Sequence, residues 1–490
     1  MLFNSFSFLI FFPAVVVAYF SVPKRFQSAL LLLASCYFYM AFVPQYILIL
    51  FFLITVDFFA AQAIEKRIGE KRKKILWLSI SANLGMLFIF KYFDFFNVNI
   101  ASFAHFLHWN YSPLLLSIVL PLGLSFHIFQ SLSYVIEVYR GKYPVEKNFL
   151  TYALYVMFFP QMVAGPIERP QHFLPQLKND HQFDPHKARM GLERMLWGFF
   201  KKLVIADQLA LVVNGLFAHL PTDGLSLIFL IFLFSYQIYC DFSGYSDIAI
   251  GSALVLGYDL SENFNRPYAS RSISEFWRRW HISLSSWLRD YLYYSLVFSV
   301  KKKTELKMYW ALFVTFLCSG LWHGANWTFV IWGAIHGMYL IVGSATKKIR
   351  DRLSEYIGLS KFPKLHHTLQ VIVVFILVSF SFIFFRSENL KQAMQIILHL
   401  GNGMWSIFTF DEKSFGLLKN NFDLTGKTQM VKYFMIVVME IVQYFQARKN
   451  TFYIFDDKPK AVRYLWYYAL IFILLIFGYY GKTTFIYFQF

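Results

Sequence analysis

A histidine lies in a part of this chain where an ionisable side chain is costly. His323 belongs to the short polar stretch 319–327, SGLWHGANW, which separates the apolar runs 308–318 and 328–342. An ionisable group between runs that suit lipid indicates a functional site. A neutral imidazole in such surroundings can act as a general base toward a hydroxyl group, a role worth about 10²–10⁴ in rate. The alternative is a buried structural histidine that hydrogen-bonds a carbonyl group.

The length of the preceding helix predicts where His323 lies. Counted from Lys307, the helix has about 15 residues before the turn, which corresponds to roughly 22 Å at 1.5 Å per residue. The hydrocarbon core of a bilayer is about 30 Å thick. Non-helical backbone inside that core is tolerated only where it is buried in protein or lines a cavity. The sequence therefore predicts an internal, partly wet cavity at His323.

A second histidine lies in the segment 272–294, which has the pattern of an amphipathic helix. Ser272 followed by Glu275 forms a capping box, which predicts a helix start. Apolar residues then recur at helical spacing on one face, and basic residues fall on the other. The pattern is typical of a helix along the cytoplasmic membrane surface. His281 falls at the margin of the apolar face, so it is either a surface histidine near lipid headgroups or a residue that points into the protein.

Other chemistries find little support. No second ligand stands three or four residues from His323, so we expect no metal site. The three cysteines are far apart, and no C-x-x-C pair occurs, so neither a zinc site nor a disulfide framework is predicted. No G-x-S-x-G, P-loop or G-x-G-x-x-G motif is present. His336 and His127 are expected to be structural.

The composition indicates a polytopic membrane protein. Of the 490 residues, 57% are hydrophobic and only 15% are charged, against about 25% charged in soluble proteins. The net charge of +18 comes from short basic clusters between apolar runs. Such clusters mark cytoplasmic loops rather than a nucleic-acid-binding surface, and they place the N-terminus outside. The clusters are Lys24–Arg25, 66–74, 140–147, Lys301–Lys303, 347–350 and 448–460.

The apolar runs predict an all-α fold with near eleven spans in a single membrane domain, 1–490. The run Phe3–Val22 has no basic start and no cleavage site, which indicates a retained span rather than a signal peptide. Residues 150–164 are too short to span and contain Pro160, so a broken or re-entrant helix is predicted. A mixed helix follows the polar segment 167–202 and ends near residue 220. Beyond the two helices that flank His323, the predicted spans are 3–22, 27–42, 44–63, 75–97, 113–139, 225–240, 368–385, 431–447 and 463–480.

Several motifs resemble those of one known family. Arg278-Arg279-Trp280-His281 is followed by Trp322-His323-Gly324, and residue 323 lies 42 positions after residue 281. This pair resembles the membrane-bound O-acyltransferase family, in its bacterial branch of alginate and other polysaccharide O-acetyltransferases. Further motifs of the same family are similar in order and position: Phe129–Tyr134, Gly165–Arg169, Asp241–Asp247, Asn263–Tyr268 and Phe485–Phe490.

The resemblance implies an acyltransferase in the bacterial cytoplasmic membrane. Its fold would be a ring of tilted helices around a central tunnel, with in-plane and re-entrant helices. His323 would be the essential catalytic residue and His281 the second active-site position. Candidates for binding the acyl donor are Arg278, Arg279, Asn263 and Trp322.

The resemblance also implies the substrates and the partner. The donor would be a cytoplasmic thioester, acetyl-CoA or similar, used as a co-substrate without any tightly bound cofactor. The acceptor would be an exported or cell-wall polysaccharide, reached directly or through an extracytoplasmic, esterase-like partner protein.

A transporter or flippase without covalent chemistry is the alternative. It would need intramembrane acids such as Asp241, but the acids in the apolar runs are scattered and show no repeat between two halves.

Overall fold

Helices make up all the regular structure in the part of the chain that the computed structural model describes, residues 1–116, 118–163, 165–299, 304–481 and 485–486. The all-α fold of a multi-pass membrane protein is therefore confirmed. Within these ranges, seven helices are long and apolar enough to cross a membrane, and Phe6–Ser21 is a shorter apolar helix. The seven are Pro44–Glu65, Glu70–Phe106, Gly224–Val255, Trp327–Ala345, Pro363–Arg386, Gln429–Lys449 and Lys460–Phe477.

The count is lower than the eleven predicted spans because several apolar runs form shorter or more polar helices. The run 27–42 lies in a helix of 17 residues, Lys24–Met40, and 113–139 contributes one of 16 residues, Leu124–Tyr139. The basic cluster Lys301–Lys303 lies outside the described residues.

The first of two compact units comprises Met1–Met195 and Ile248–Glu262. A π-helical turn, Phe88–Tyr92, joins its fourth and fifth helices into one continuous element. The helices of this part of the chain are α1 Phe6–Ser21, α2 Lys24–Met40, α3 Ile47–Glu65, α4 Glu70–Leu87, α5 Phe93–Phe106, α6 Leu124–Tyr139, α7 Phe149–Met157, α8 Phe159–Met162, α9 Pro170–Lys178 and α10 Pro185–Phe199.

Two irregular segments of this unit show how the sequence sets helix ends. The predicted broken helix at 150–164 is confirmed, because α7 ends at Met157 and α8 begins at Phe159. The predicted span 113–139 is wrong in its first half, since α6 begins only at Leu124. Gly123 precedes it with φ of 69°, and a Cβ there would lie 2.6 Å from the carbonyl oxygen of Met162. A residue with a side chain would be strained at this position, so the helix starts after the glycine.

The second unit comprises Leu196–Asp247 and Asn263–Phe490. It contains two π-helical turns, Phe200–Ala206 and Leu288–Tyr293. The helices from here on are α11 Asp207–Ala218, α12 Gly224–Val255, α13 Ile273–Arg279, α14 Ile282–Trp287, α15 Tyr294–Phe298, α16 Glu305–His323, α17 Trp327–Ala345, α18 Lys347–Tyr356, α19 Pro363–Arg386, α20 Leu390–Thr409, α21 Glu412–Asn421, α22 Lys427–Lys449 and α23 Lys460–Phe477.

Helices α16 and α17 form a hairpin in which the two backbones approach closely. A Cβ on Gly320 would lie 2.2 Å from the carbonyl oxygen of Phe329, and a Cβ on Gly333 would lie 2.3 Å from that of Phe316. Small residues at facing positions allow such packing inside membrane helices. His323 is the last residue of α16 and so takes its position from this hairpin.

The helix that precedes His323 is longer than the sequence predicted. Helix α16 has 19 residues and continues through Ser319–Trp322, so the turn begins only at Gly324. At 1.5 Å per residue the helix is about 28 Å long, close to the thickness of the hydrocarbon core. The helix is therefore a few residues longer than the sequence predicted, because no residue before Gly324 ends it. The depth of His323 in a membrane stays a prediction.

Candidate active site

His281 lies at a break between two short helices. Helix α13 ends at Arg279, and His281 has φ of 42° and ψ of 54°, in the left-handed region. Two backbone hydrogen bonds flank the break: the Ile282 N–H donates to the carbonyl of Asn263 at 2.9 Å, and the Asn265 N–H donates to that of Arg279 at 2.9 Å. The prediction of one continuous helix over 272–294 is therefore wrong, because a distant segment competes for its backbone groups.

Burial decides between the two sequence-based alternatives for His281. The residue is 1% exposed, so it is not a surface histidine. Its Nδ1 lies 3.2 Å from Oδ1 of Asn263, which is itself fully buried. Burial lowers the pKa of His281, which lies outside the membrane-spanning helices, to about 3. The imidazole is therefore neutral at physiological pH.

His323 is held by aromatic rings from three helices. Its ring centroid lies 5.0 Å from that of Trp332 on α17, at an interplanar angle of 86°. Phe385 on α19 lies 5.2 Å away at 71°. Both are edge-to-face arrangements, which aromatic pairs favour. Since His323 is only 5% exposed, the orientation of its ring depends on the packing of α16, α17 and α19.

Trp322 brings the two histidines into one site. Its ring centroid lies 4.9 Å from that of His323 and 6.1 Å from that of His281. Phe242 on α12 contacts His281 from another side, with centroids 4.6 Å apart at 90°. The structure thus assembles two predicted site residues from separate segments around one buried tryptophan.

The four candidate donor-binding residues divide into two groups. Asn263 and Trp322 are buried beside the histidines. Arg278 is exposed and donates to the hydroxyl of Ser274 at 2.9 Å. Arg279 is partly exposed and pairs with Glu275 at 2.7 Å. The side chains of the two arginines are therefore at least partly exposed, whereas those of Asn263 and Trp322 are buried.

The carboxylate of Glu275 is tied to the start of α13. Its Oε2 accepts the N–H of Arg271 at 2.9 Å, and the Ser272 hydroxyl accepts the N–H of Glu275 at 3.1 Å, so the predicted helix start is confirmed. Burial alone would raise the pKa of Glu275, but the Arg271 N–H and the Arg279 guanidinium lower it below its ordinary value. Glu275 stays ionised at physiological pH.

His336 is a buried histidine with both ring nitrogens engaged. The indole N–H of Trp277 donates to its Nδ1 at 3.3 Å, and its Nε2 lies 2.9 Å from the hydroxyl of Ser381. Trp332 lies between His336 and His323, with centroids 4.9 Å and 5.0 Å away. The structural role expected for His336 fits these contacts.

Sequence reasoning missed a buried charge cluster near the site. Lys202 Nζ lies 2.5 Å from Oδ1 of Asp241 and 2.8 Å from Oδ1 of Asp207. Lys201 Nζ lies 2.5 Å from Oδ2 of Asp247. The signal was present in the sequence, because two consecutive lysines interrupt an otherwise apolar run. Asp241 and Asp247 are therefore ion-paired, which disfavours their use as coupling groups in a transporter.

Asp241 also contacts the terminal motif. Its Oδ2 accepts the backbone N–H of Ile486 at 2.7 Å, and Phe485 packs on Tyr245 with centroids 4.7 Å apart. Residues 487–490 of that motif lie outside the described residues. Among the residues that the structure describes, no group of three or more His, Cys, Asp or Glu could hold a metal ion.

The fold and this site together define a multi-pass membrane protein with a histidine pair buried among aromatic rings. Residues 144–385 match the family model described as MBOAT, membrane-bound O-acyltransferase family. The chain is 38% identical over 462 residues to the "Probable alginate O-acetylase AlgI" of Azotobacter vinelandii, covering 91% of this chain and 86% of that relative. It belongs to the membrane-bound O-acyltransferase family and is an acyltransferase.

Other relatives are similar over most of their length. The protein of the same name from Pseudomonas aeruginosa is 36% identical over 474 residues, covering 94% of this chain and 84% of the relative. The "Peptidoglycan O-acetyltransferase" of Helicobacter pylori is 33% identical over 437 residues, covering 81% of this chain and 79% of the relative. The family resemblance drawn from the two histidine motifs is confirmed.

Proposed function

We propose that this chain transfers an acetyl group from a cytoplasmic thioester to a hydroxyl group of an exported or cell-wall polysaccharide. The observation that carries the proposal is the pair His281 and His323, both buried and both in contact with Trp322. The relatives named for O-acetylation of alginate and of peptidoglycan support this acceptor class and the acetyl group. Acetyl-CoA, or a similar thioester, is the co-substrate, and no cofactor is tightly bound.

In this proposal His323 is the general base. Its neutral imidazole takes the proton of the acceptor hydroxyl as the oxygen attacks the thioester carbonyl carbon. The C–O bond forms, the C–S bond breaks, and the imidazolium returns the proton to the departing thiolate. His281 positions the donor or acts as the second proton-transfer group. The aromatic rings around both histidines exclude water, which favours transfer to the acceptor over hydrolysis.

The same proposal places the whole chain, as one acyltransferase domain, in the bacterial cytoplasmic membrane with its N-terminus outside. The helices enclose a tunnel through which a donor bound on the cytoplasmic side meets an acceptor on the external side. Arg278 and Arg279 are exposed cations suited to the phosphate groups of an acyl-CoA. An extracytoplasmic, esterase-like partner receives the acetyl group where transfer to the polymer is indirect.

Replacing His323 by alanine tests the proposal. In the source organism, with the variant supplied in place of the native chain, we expect O-acetyl groups on the exported polysaccharide to disappear while membrane insertion stays normal. Mass spectrometry of the polysaccharide and immunoblots of the membrane fraction measure the two quantities. His399→Ala is the matched control, because His399 is exposed and its Nδ1 lies 2.7 Å from the Gln395 carbonyl on its own helix.

Retained O-acetylation in His323→Ala would contradict the proposal. A transporter or flippase predicts a different pattern: saturable movement of a glycan-related substrate that survives the loss of His323. Transfer of radiolabel from [1-¹⁴C]acetyl-CoA to polymer in native membrane vesicles tests the donor separately.

A further inference from the structure

We propose that Asn263 is a positioning residue that sets the orientation and the tautomer of His281. The inference rests on the proposed role of His281 in acyl transfer and adds a residue that controls its chemistry. Asn263 was a candidate for binding the donor on the basis of family resemblance alone. It is fully buried, and its side-chain amide contacts His281, Ser283 and Ser246.

The hydrogen bonds around Asn263 determine which way its amide points. The backbone N–H of Ser283 lies 3.3 Å from Oδ1, and the Ser283 hydroxyl lies 2.9 Å from the same atom. A backbone N–H can only donate, so the atom that faces it must be the amide oxygen and not the amide nitrogen. The NH₂ group then faces Ser246, whose hydroxyl accepts from it at 3.3 Å. The oxygen is therefore on the side of His281.

This orientation assigns the proton on His281. Oδ1 of Asn263 accepts, so Nδ1 of His281, 3.2 Å away, must donate. In a neutral imidazole one ring nitrogen carries the proton and the other is basic. With the proton held at Nδ1, Nε2 is the basic atom of His281. An imidazole with the opposite tautomer would present an N–H at the position where the reaction needs a lone pair.

Asn263 also holds the backbone around His281. Its carbonyl accepts the N–H of Ile282, the residue that follows His281, at 2.9 Å. His281 itself has φ of 42°, and a non-glycine residue keeps such a conformation only where its surroundings over-determine it. One asparagine thus fixes the ring through its side chain and the strained turn through its backbone. Only the first of these functions depends on the amide, so side-chain variants separate them.

Two near-isosteric variants test the inference, Asn263→Leu and Asn263→Asp. Leucine removes the acceptor, so we expect kcat to fall about 10²-fold as the ring loses its tautomer and orientation, while KM for acetyl-CoA changes less than about twofold. Aspartate keeps an acceptor toward Nδ1, so its kcat should exceed that of Asn263→Leu. Its charge should also move the acidic limb of the pH–rate profile upward, because a carboxylate favours the protonated imidazole.

The order of the kcat values of the two variants distinguishes a positioning role of Asn263 from simple packing. If Asn263 only filled space, the buried charge of aspartate would be the more damaging change. The inference would be overturned if the kcat of Asn263→Asp were equal to or lower than that of Asn263→Leu and the pH profile of Asn263→Asp were unshifted. Initial rates are measured in native membrane vesicles with [1-¹⁴C]acetyl-CoA and deacetylated alginate, per amount of inserted protein. Asn265→Ala is the matched control, because that asparagine is exposed in the same loop.

Two further variants keep the outcome decisive. If Asn263→Leu does not insert, Ser246→Ala replaces it. This variant removes the hydroxyl that accepts from the amide NH₂, one of the contacts that orient the amide, so kcat should fall about fivefold. An unchanged kcat, together with an unshifted pH profile in Asn263→Asp, would overturn the inference. His281→Ala tests the role of His281 separately from that of Asn263. Retained O-acetylation in His281→Ala refutes the proposed function of that histidine. If O-acetylation is lost in His281→Ala but Asn263→Leu keeps the wild-type kcat, only the role of Asn263 is refuted.

Discussion

The close packing of α16 on α17 makes Gly320→Ala a severe test of how His323 is positioned. Gly320 lies one turn before His323 on the same helix. The added methyl group would stand 2.2 Å from the Phe329 carbonyl oxygen and 3.2 Å from Cα of Gly333. Both obstacles are backbone atoms, so no side-chain rotation relieves the contact. The two helices must separate.

The size of the separation follows from these distances. Ordinary van der Waals contacts of a Cβ begin at 3.4 Å, so a contact of 2.2 Å requires a shift of about 1 Å. Overpacking of this kind destabilises by about 1–3 kcal/mol. The shift also moves Trp332 on α17 relative to the His323 ring that it contacts. A misplacement of about 1 Å can lower the rate about 10²-fold, and we expect a loss of that order.

Thermal unfolding in detergent measures the stability, and acetyl transfer in native membrane vesicles measures the rate. Gly343→Ala is the matched control, because it lies on α17 and a Cβ there would have no heavy atom within 4 Å. That variant should keep full activity and gain up to about 1 kcal/mol from helix propensity. If Gly320→Ala matched Gly343→Ala in both measurements, the argument from backbone contact would be refuted.

Two further predictions concern charged groups. Lys202→Met leaves two buried carboxylates without their shared cation and should destabilise the protein by about 3–5 kcal/mol. The control Lys24→Met removes an exposed ion pair and should cost less than about 1 kcal/mol. Equal melting temperatures of the two variants would contradict this prediction. His172 donates a hydrogen bond to the carboxylate of Glu168, which raises the pKa of His172 above its ordinary value of 6.5. The stabilising effect of the His172–Glu168 pair is therefore complete below pH 6.5 and is lost as pH rises through the raised pKa. His172→Gln should therefore flatten the fall of the melting temperature above pH 6.5. An unchanged slope of melting temperature against pH would argue against the pair.

Local signals predicted two helix boundaries correctly. The hydroxyl of Ser272 accepts the N–H of Glu275, as the capping box indicates. Pro160 and the short apolar run at 150–164 correctly indicated a broken helix. These features depend on residues three or four positions apart, so the sequence contains all the information they need.

Features that depend on distant segments could not be predicted. The break at His281 has no glycine or proline as a signal, and it arises because Asn263 and Asn265 bond its backbone groups. The contact of Asn263 with the His281 ring spans 18 positions, and only the folded chain brings the two together. The pairing of Lys202 with Asp241 spans 39 positions. Of the two catalytic candidates, His323 was found because an ionisable group between apolar runs is conspicuous without any structure. His281 became a candidate only through the resemblance to a known family.

The π-helical turn at 200–206 limits how this part of the chain can vary in length. A π turn holds about one residue more than an α turn, so removal of one residue would restore a regular α-helix. The helix on either side would keep its orientation, but residues inside the turn would move by one position, which corresponds to about 100° around the helix axis. Lys201 and Lys202 could no longer both face their aspartates on α12. A one-residue deletion at 200–206 in a related sequence would therefore indicate that the buried charge cluster is lost. The same deletion in a surface loop would have no such meaning.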